Sequence, residues 1–95
     1  MNEVLSKTTS HDLGGYLRYY LKKSSHHNED FGEYNSYGIR IVLENGEIIE
    51  EASVEDISTE YDYVENLFLL LVEGKAMPIS LNEIVYDYLC AECVE

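Results

Sequence analysis

Asn45-Gly46 stands between the apolar stretch 39–43 (Ile-Arg-Ile-Val-Leu) and Ile48-Ile49. Asn-Gly tolerates positive φ at both central positions of a type I′ turn, whose twist matches that of two antiparallel strands. The middle of the chain is therefore expected to be a β-hairpin, and the rest must pack around it. A two-residue loop places Glu44 opposite Glu47, Leu43 opposite Ile48, Val42 opposite Ile49, Ile41 opposite Glu50, Arg40 opposite Glu51 and Ile39 opposite Ala52. One face then collects Ile39, Ile41, Leu43, Ile48 and Ala52, which suits a core, and the other sets Arg40 against Glu51. Glu44 facing Glu47 is a like-charge pair, unfavourable by up to about 1 kcal/mol.

Two helices are expected after the hairpin. Ser58 or Thr59 caps the first, Glu60 and Asp62 lie in its first turn, and Val64, Leu67, Phe68 and Leu71 form its apolar stripe. Gly74 suits the position after its end, and Pro78 prevents it from resuming. Ser80 to Glu83 reads as a capping box for the second helix, with Ile79 placed to staple onto Ile84. Leu81, Ile84, Val85, Tyr88 and Leu89 then follow at helical spacing.

Before the hairpin the pattern is less sharp. Residues 1–12 are polar and read as a flexible N-terminus. In 13–21, Leu13, Tyr16, Leu17, Tyr20 and Leu21 fit a helix, whereas Leu17, Tyr19 and Leu21 alternate as in a strand. Gly14-Gly15 and the tyrosines favour the strand. Residues 24–30 (Ser-Ser-His-His-Asn-Glu-Asp) read as a polar loop. The expected fold is α+β, in β-β-β-α-α order: a three-stranded antiparallel sheet covered on one face by two C-terminal helices, forming one small domain over 13–95.

Tyr37-Gly38-Ile39, the acidic hairpin after it, Val54-Glu55-Asp56-Ile57-Ser58, and Pro78-Ile79 leading into Val85-Tyr86-Asp87 together resemble a family of short uncharacterised proteins, a domain of unknown function found mainly in Clostridia and related Firmicutes. The resemblance spans roughly residues 16 to 89. It supports this order of elements and implies no chemistry at any position.

Charge divides the chain sharply. Residues 1–40 balance five acids with five bases, and residues 41–95 carry fourteen acids and one base, Lys75, which accounts for the whole net charge of −13. Such a surface attracts basic partners and repels phosphate, so direct binding to nucleic acid or anionic membrane is not expected. The longest apolar run, 67–72, falls far short of the roughly 20 residues of a membrane span, and the N-terminus lacks a signal pattern, so a cytoplasmic location is expected. The acids Glu44, Glu47, Glu50, Glu51, Glu55, Asp56, Glu60, Asp62 and Glu65, with Tyr61 among them, form the candidate partner surface. Carboxylates with interleaved tyrosines suit a basic protein surface, including the nucleic-acid channel of a nuclease that a small acidic inhibitor could occupy, as phage-type CRISPR inhibitors do. The alternative is a regulatory or structural protein acting through its helix face or as a homodimer.

Enzyme-like constellations are weak. Cys90 and Cys93 form a C-x-x-C near a helix C-terminus, where the dipole opposes thiolate formation; a zinc site needs two more ligands, there is no second C-x-x-C, and the candidates His11, His26 and His27 lie far away in sequence. His26-His27 with Glu29 and Asp30 could hold a transition metal on a loop, though adjacent histidines point apart in extended chain, and His11-Asp12 pairs a base with an acid but is tied to no nucleophile by motif. A non-enzymatic binding module with no cofactor is the expectation.

Overall fold

The structure, a computed structural model, describes residues 2–11, 14–30 and 32–93, with side chains at 3–11, 14–30 and 32–90. Four strands, β1 (Asn2–Ser10), β2 (Tyr16–Asn28), β3 (Gly32–Asn45) and β4 (Ile48–Ser58), form one antiparallel sheet in the order β1-β2-β3-β4. Two helices follow, α1 (Tyr61–Glu73) and α2 (Leu81–Cys93), joined through a 3₁₀ turn at Pro78–Ser80. The class and the paired C-terminal helices match the expectation, but the sheet has four strands, not three. The extra strand is β1, in the segment read as a flexible lead-in. It is polar because it is an edge strand: Leu5, opposite Leu21, is its contribution to the core.

Alternation in β2 and β3 builds the core. Leu17, Tyr19 and Leu21 oppose Leu43, Ile41 and Ile39, and all six are buried on the helix-covered face. Val64, Leu67, Phe68 and Leu71 of α1 close over them, with Leu81 and Val85 of α2. The helix reading of 13–21 is thereby set aside for the described residues, and Leu13 lies outside them. The opposite face carries the even-numbered residues Arg18, Tyr20 and Lys22 of β2 and Arg40 of β3. Arg40 and Lys22 lie 5.8 and 6.0 Å from the Tyr20 ring centre.

The central hairpin forms in another register. Asn45 pairs with Ile48, and the turn residues are Gly46 and Glu47, with positive φ at Gly46 (62°), as where glycine opens a type II′ turn. Leu43 now faces Glu50, Ile41 faces Ala52, and Ile39 faces Val54. Because the shift is two residues, side-chain faces are preserved. Two physical reasons favour it. Glu44 faces Ile49 instead of Glu47 and pairs with Arg18 at 3.0 Å. Gly15 also comes so close to β3 that a Cβ there would sit 2.1 Å from the Glu44 carbonyl oxygen, which packs the β1–β2 turn against an extended Asn45. Arg40 faces Ser53 and reaches Glu51 diagonally at 2.8 Å.

The helix ends also differ in detail. Glu60 occupies the N-cap of α1 without a side-chain cap bond, while Ser58 Oγ accepts the Glu60 N–H at 3.0 Å. At the C-terminus Lys75, not Gly74, takes the left-handed conformation (φ 51°). The Lys75 and Ala76 amides then donate to Val72 and Leu71, the two bonds of a Schellman closure. Ile79 is 86% exposed, so it does not staple onto Ile84.

The buried Tyr19 hydroxyl donates to the Ala76 carbonyl at 3.0 Å, tying β2 to the loop between the helices. Tyr19→Phe leaves that carbonyl without its donor and is expected to cost about 1–2 kcal/mol in urea unfolding. Burial pushes the phenol up to about 12, above the ordinary 10.0. The phenol therefore favours the fold fully below pH 10, and that contribution is lost as pH rises towards 12. The phenylalanine variant is expected to lack this part of the alkaline loss.

Candidate functional site

The acidic run does not form one face. Strand alternation sends Glu51 to the open side of the sheet and Glu50 to the helix side, beside Leu43. Several of the acids are already engaged: Glu44 pairs with Arg18, and Glu51 with Arg40. Glu65 accepts the Tyr61 hydroxyl at 3.1 Å, and the Tyr61 ring meets Tyr37 edge-on at 5.3 Å. Tyr61 is thus a half-buried packing residue rather than a free contact. Glu47, Glu50, Glu55, Glu60 and Asp62 remain exposed, and none of them has a cation within ion-pair distance among the described residues. They follow the outer edge of β4 into the first turn of α1.

Asp56 belongs to a cluster that sequence reasoning missed. Between Val54, opposite Ile39, and Ser58, opposite Tyr37, β4 spans four residues while β3 spans two, so β4 bulges. Asp56 lies in this bulge with φ 55°, a left-handed conformation that Asp tolerates better than most residues. The bulge presses on Gly38, where a Cβ would meet the Val54 carbonyl oxygen at 2.4 Å and Glu55 Cα at 2.8 Å. It turns the Asp56 carboxylate onto Ser36 of β3 and His26 of β2.

The Ser36 hydroxyl donates to Asp56 Oδ1. His26 Nε2 lies 3.0 Å from the same oxygen and 2.8 Å from Ser36 Oγ. A ring-nitrogen lone pair facing a carboxylate would be repelled, so Nε2 carries the proton and donates. The His26 ring stacks on Tyr34 at 5.1 Å, and Ser58 and Thr59 complete a polar hollow of about 350 Å3. In a nucleophilic triad the histidine uses one ring nitrogen for the serine and the other for the acid. Here both partners share Nε2 and the serine proton points to the acid, so the cluster fastens three strands together and does not activate Ser36.

That fastening has a clear place in the fold. β1 pairs as far as Lys23 and β4 as far as Tyr37, which leaves 24–28 and 32–36 as a two-stranded arm. Such arms are marginal alone. His26 and His27 lie in this arm as strand residues, not in a loop, and point to opposite faces. Among the described residues no group of three or more His, Cys, Asp or Glu is placed to hold a metal ion. Cys90 is half-buried beside Tyr86, whose phenol it pushes above its ordinary value. The Cys93 side chain lies outside the described residues, as does Asp12 of the His11-Asp12 pair.

The hydrogen bond from Ser36 holds the Asp56 carboxyl below its ordinary value, partly offset by desolvation and reinforced by the bond and charge of His26. A depressed carboxyl stabilises the fold above its unfolded value and loses that effect as pH falls through the folded one. The stability gap between the wild type and Asp56→Asn is therefore expected to be widest above about pH 4 and to narrow at more acid pH. A gap unchanged from about pH 2.5 to about pH 6 would contradict this.

The model of a family of unknown function, DUF6514, matches residues 1–91. The chain belongs to that family. No curated protein and no solved structure matches it. In this DUF6514 member no helix among the described residues is long and apolar enough to cross a membrane.

Proposed function

We propose that this DUF6514 protein is a non-enzymatic binding module that docks a basic protein surface along the outer edge of β4 and the start of α1. The observation that supports this is the set of exposed carboxylates at Glu47, Glu50, Glu55, Glu60 and Asp62, which have no ion-pair partner among the described residues where Glu44 and Glu51 have one. These acids also keep a long edge strand from pairing with other sheets. From Glu47 in the turn to Glu50 and Glu55 of β4 the free carboxylates recur every three to five residues, or roughly 10–16 Å at about 3.3 Å per residue. Each DNA strand presents one phosphate per about 3.4 Å of helix axis, a denser array, so this spacing supports a basic protein segment more than imitation of a duplex. The nucleic-acid channel of a nuclease is one source of such a surface.

Titration with oligolysine at rising salt tests the reading. Replacing Glu47, Glu50 and Glu55 together by Gln is expected to weaken binding at least about tenfold at low salt and to flatten its salt dependence. Binding indifferent both to salt and to the triple change would overturn it.

A further inference from the structure

The two helices leave a groove of about 580 Å3 between them. Tyr63 and Tyr88, on the ends of α1 and α2 remote from the connecting loop, lie 4.9 Å apart ring to ring, so the helices run antiparallel along the sheet. Between that contact and the loop, Leu67, Leu70, Leu71, Met77, Ile84 and Tyr88 line the opening. Leu67 and Leu71 are buried in its floor, whereas Leu70 is 57% exposed and Leu69 beside it 45%. Leu70 also lines a second hollow of about 330 Å3, with Asn66, Leu69 and Glu73, so it stands as a ridge between two depressions. Side chains at 67, 70 and 71 on α1 and at 84, 87 and 88 on α2, with Gly74 and Ser80 just beyond the helix ends, make a trough with the periodicity that accepts a third helix.

Charge selects the occupant. Asp87 lines the groove, Glu83 lies one turn before it on the same helix, and Glu73 borders the neighbouring hollow; Lys75 is the cation at the mouth. A second copy of this chain would bring the same acidic rim and a further net charge of −13 against the first. We propose that the groove receives an amphipathic helix of a partner protein, whose apolar stripe seats around Leu70 and whose flanking Lys or Arg residues meet Glu73, Glu83 and Asp87. The site is separate from the β4 edge and holds whether or not that edge binds.

The probe is a Leu/Lys peptide of about 18 residues, long enough for helix, with all leucines on one helical face. Its controls are a scrambled peptide of the same composition and a Leu/Glu analogue. The Leu/Lys peptide is expected to bind at least about tenfold more tightly than either control, and Leu70→Glu to remove that advantage. Leu70 is largely exposed, so the variant is expected to keep its thermal midpoint, and Leu70→Ser gives a milder loss in the same direction. Equal binding of the ordered and scrambled peptides, or binding indifferent to Leu70→Glu, would overturn the groove while leaving oligolysine binding at β4 as a separate result. Concentration-dependent dimers abolished by Leu70→Glu would assign the groove to a second copy, and displacement of the peptide by oleate would assign it to a lipid. Either would also overturn the proposal.

Discussion

Replacing Phe68 by alanine is expected to lower the stability of this domain by about 3–5 kcal/mol. Phe68 is fully buried on the α1 face that closes over β2 and β3, among Leu17, Tyr19, Leu21, Ile39 and Ile41. Its removal subtracts the transfer energy of the ring and leaves a void that neighbours can only partly fill. The surrounding side chains are anchored in a hydrogen-bonded sheet, and Tyr19 is further held by its bond to Ala76. A domain of this size has roughly 5–15 kcal/mol in all, so the loss is a large share. The thermal midpoint is expected to fall by roughly 15–25 °C, with the urea slope unchanged if the variant still unfolds in one step. A fall under about 1 kcal/mol would mean that α1 is not packed as a core helix.

Elements resting on the core were legible in the sequence. The stripe Val64, Leu67, Phe68, Leu71 and the stop at Pro78 announce the helices because burial imposes a 3.6-residue period. Leu17, Tyr19 and Leu21 announce β2 through alternation. Where the chain leaves the core these signals vanish. The far half of β2, through His26 and His27, forms an arm with no apolar layer beneath it, so its pairing with β3 rests on backbone bonds and on polar contacts such as His26 with Ser36 and Tyr34, which leave no periodic apolar signal. β1 sends one leucine inward and otherwise reads as polar lead-in. The turn at Gly46-Glu47 followed neighbours, Arg18 and Gly15, that local turn preference does not include.

The candidate surfaces show the same divide. Acid density along the chain is plain, but alternation and pairing with Arg18 and Arg40 divide it into engaged and free residues, and neither effect can be counted without the register. Ser36 and Asp56 lie 10 and 30 residues from His26, on three different strands, and only the bulge brings them together. One signal was present: a glycine inside a strand, Gly38 just before the stretch 39–43, marks a place where another backbone comes close.

Gly38→Ala puts that signal to work. The added methyl would meet the carbonyl of Val54 and the Cα of Glu55, both backbone atoms that cannot rotate away. The β4 bulge must therefore shift outward, at an expected cost of about 1–3 kcal/mol, towards the upper end because no flexible side chain absorbs the strain. Since the bulge carries Asp56, its displacement also draws the carboxylate away from Ser36 and His26. The variant is thus expected to lose the acid-dependent stability that Asp56 supplies, and adding Asp56→Asn to it should change little more. Such non-additivity is the mark of residues acting through one contact. The arm of 24–28 and 32–36 should then show faster amide exchange, while amides of 17–21 and 39–43 nearest the helices keep their protection. If Gly38→Ala lowered stability yet left the acid limb and the exchange of the arm as in the wild type, the bulge would be a packing feature alone, and Asp56 would reach its partners without it.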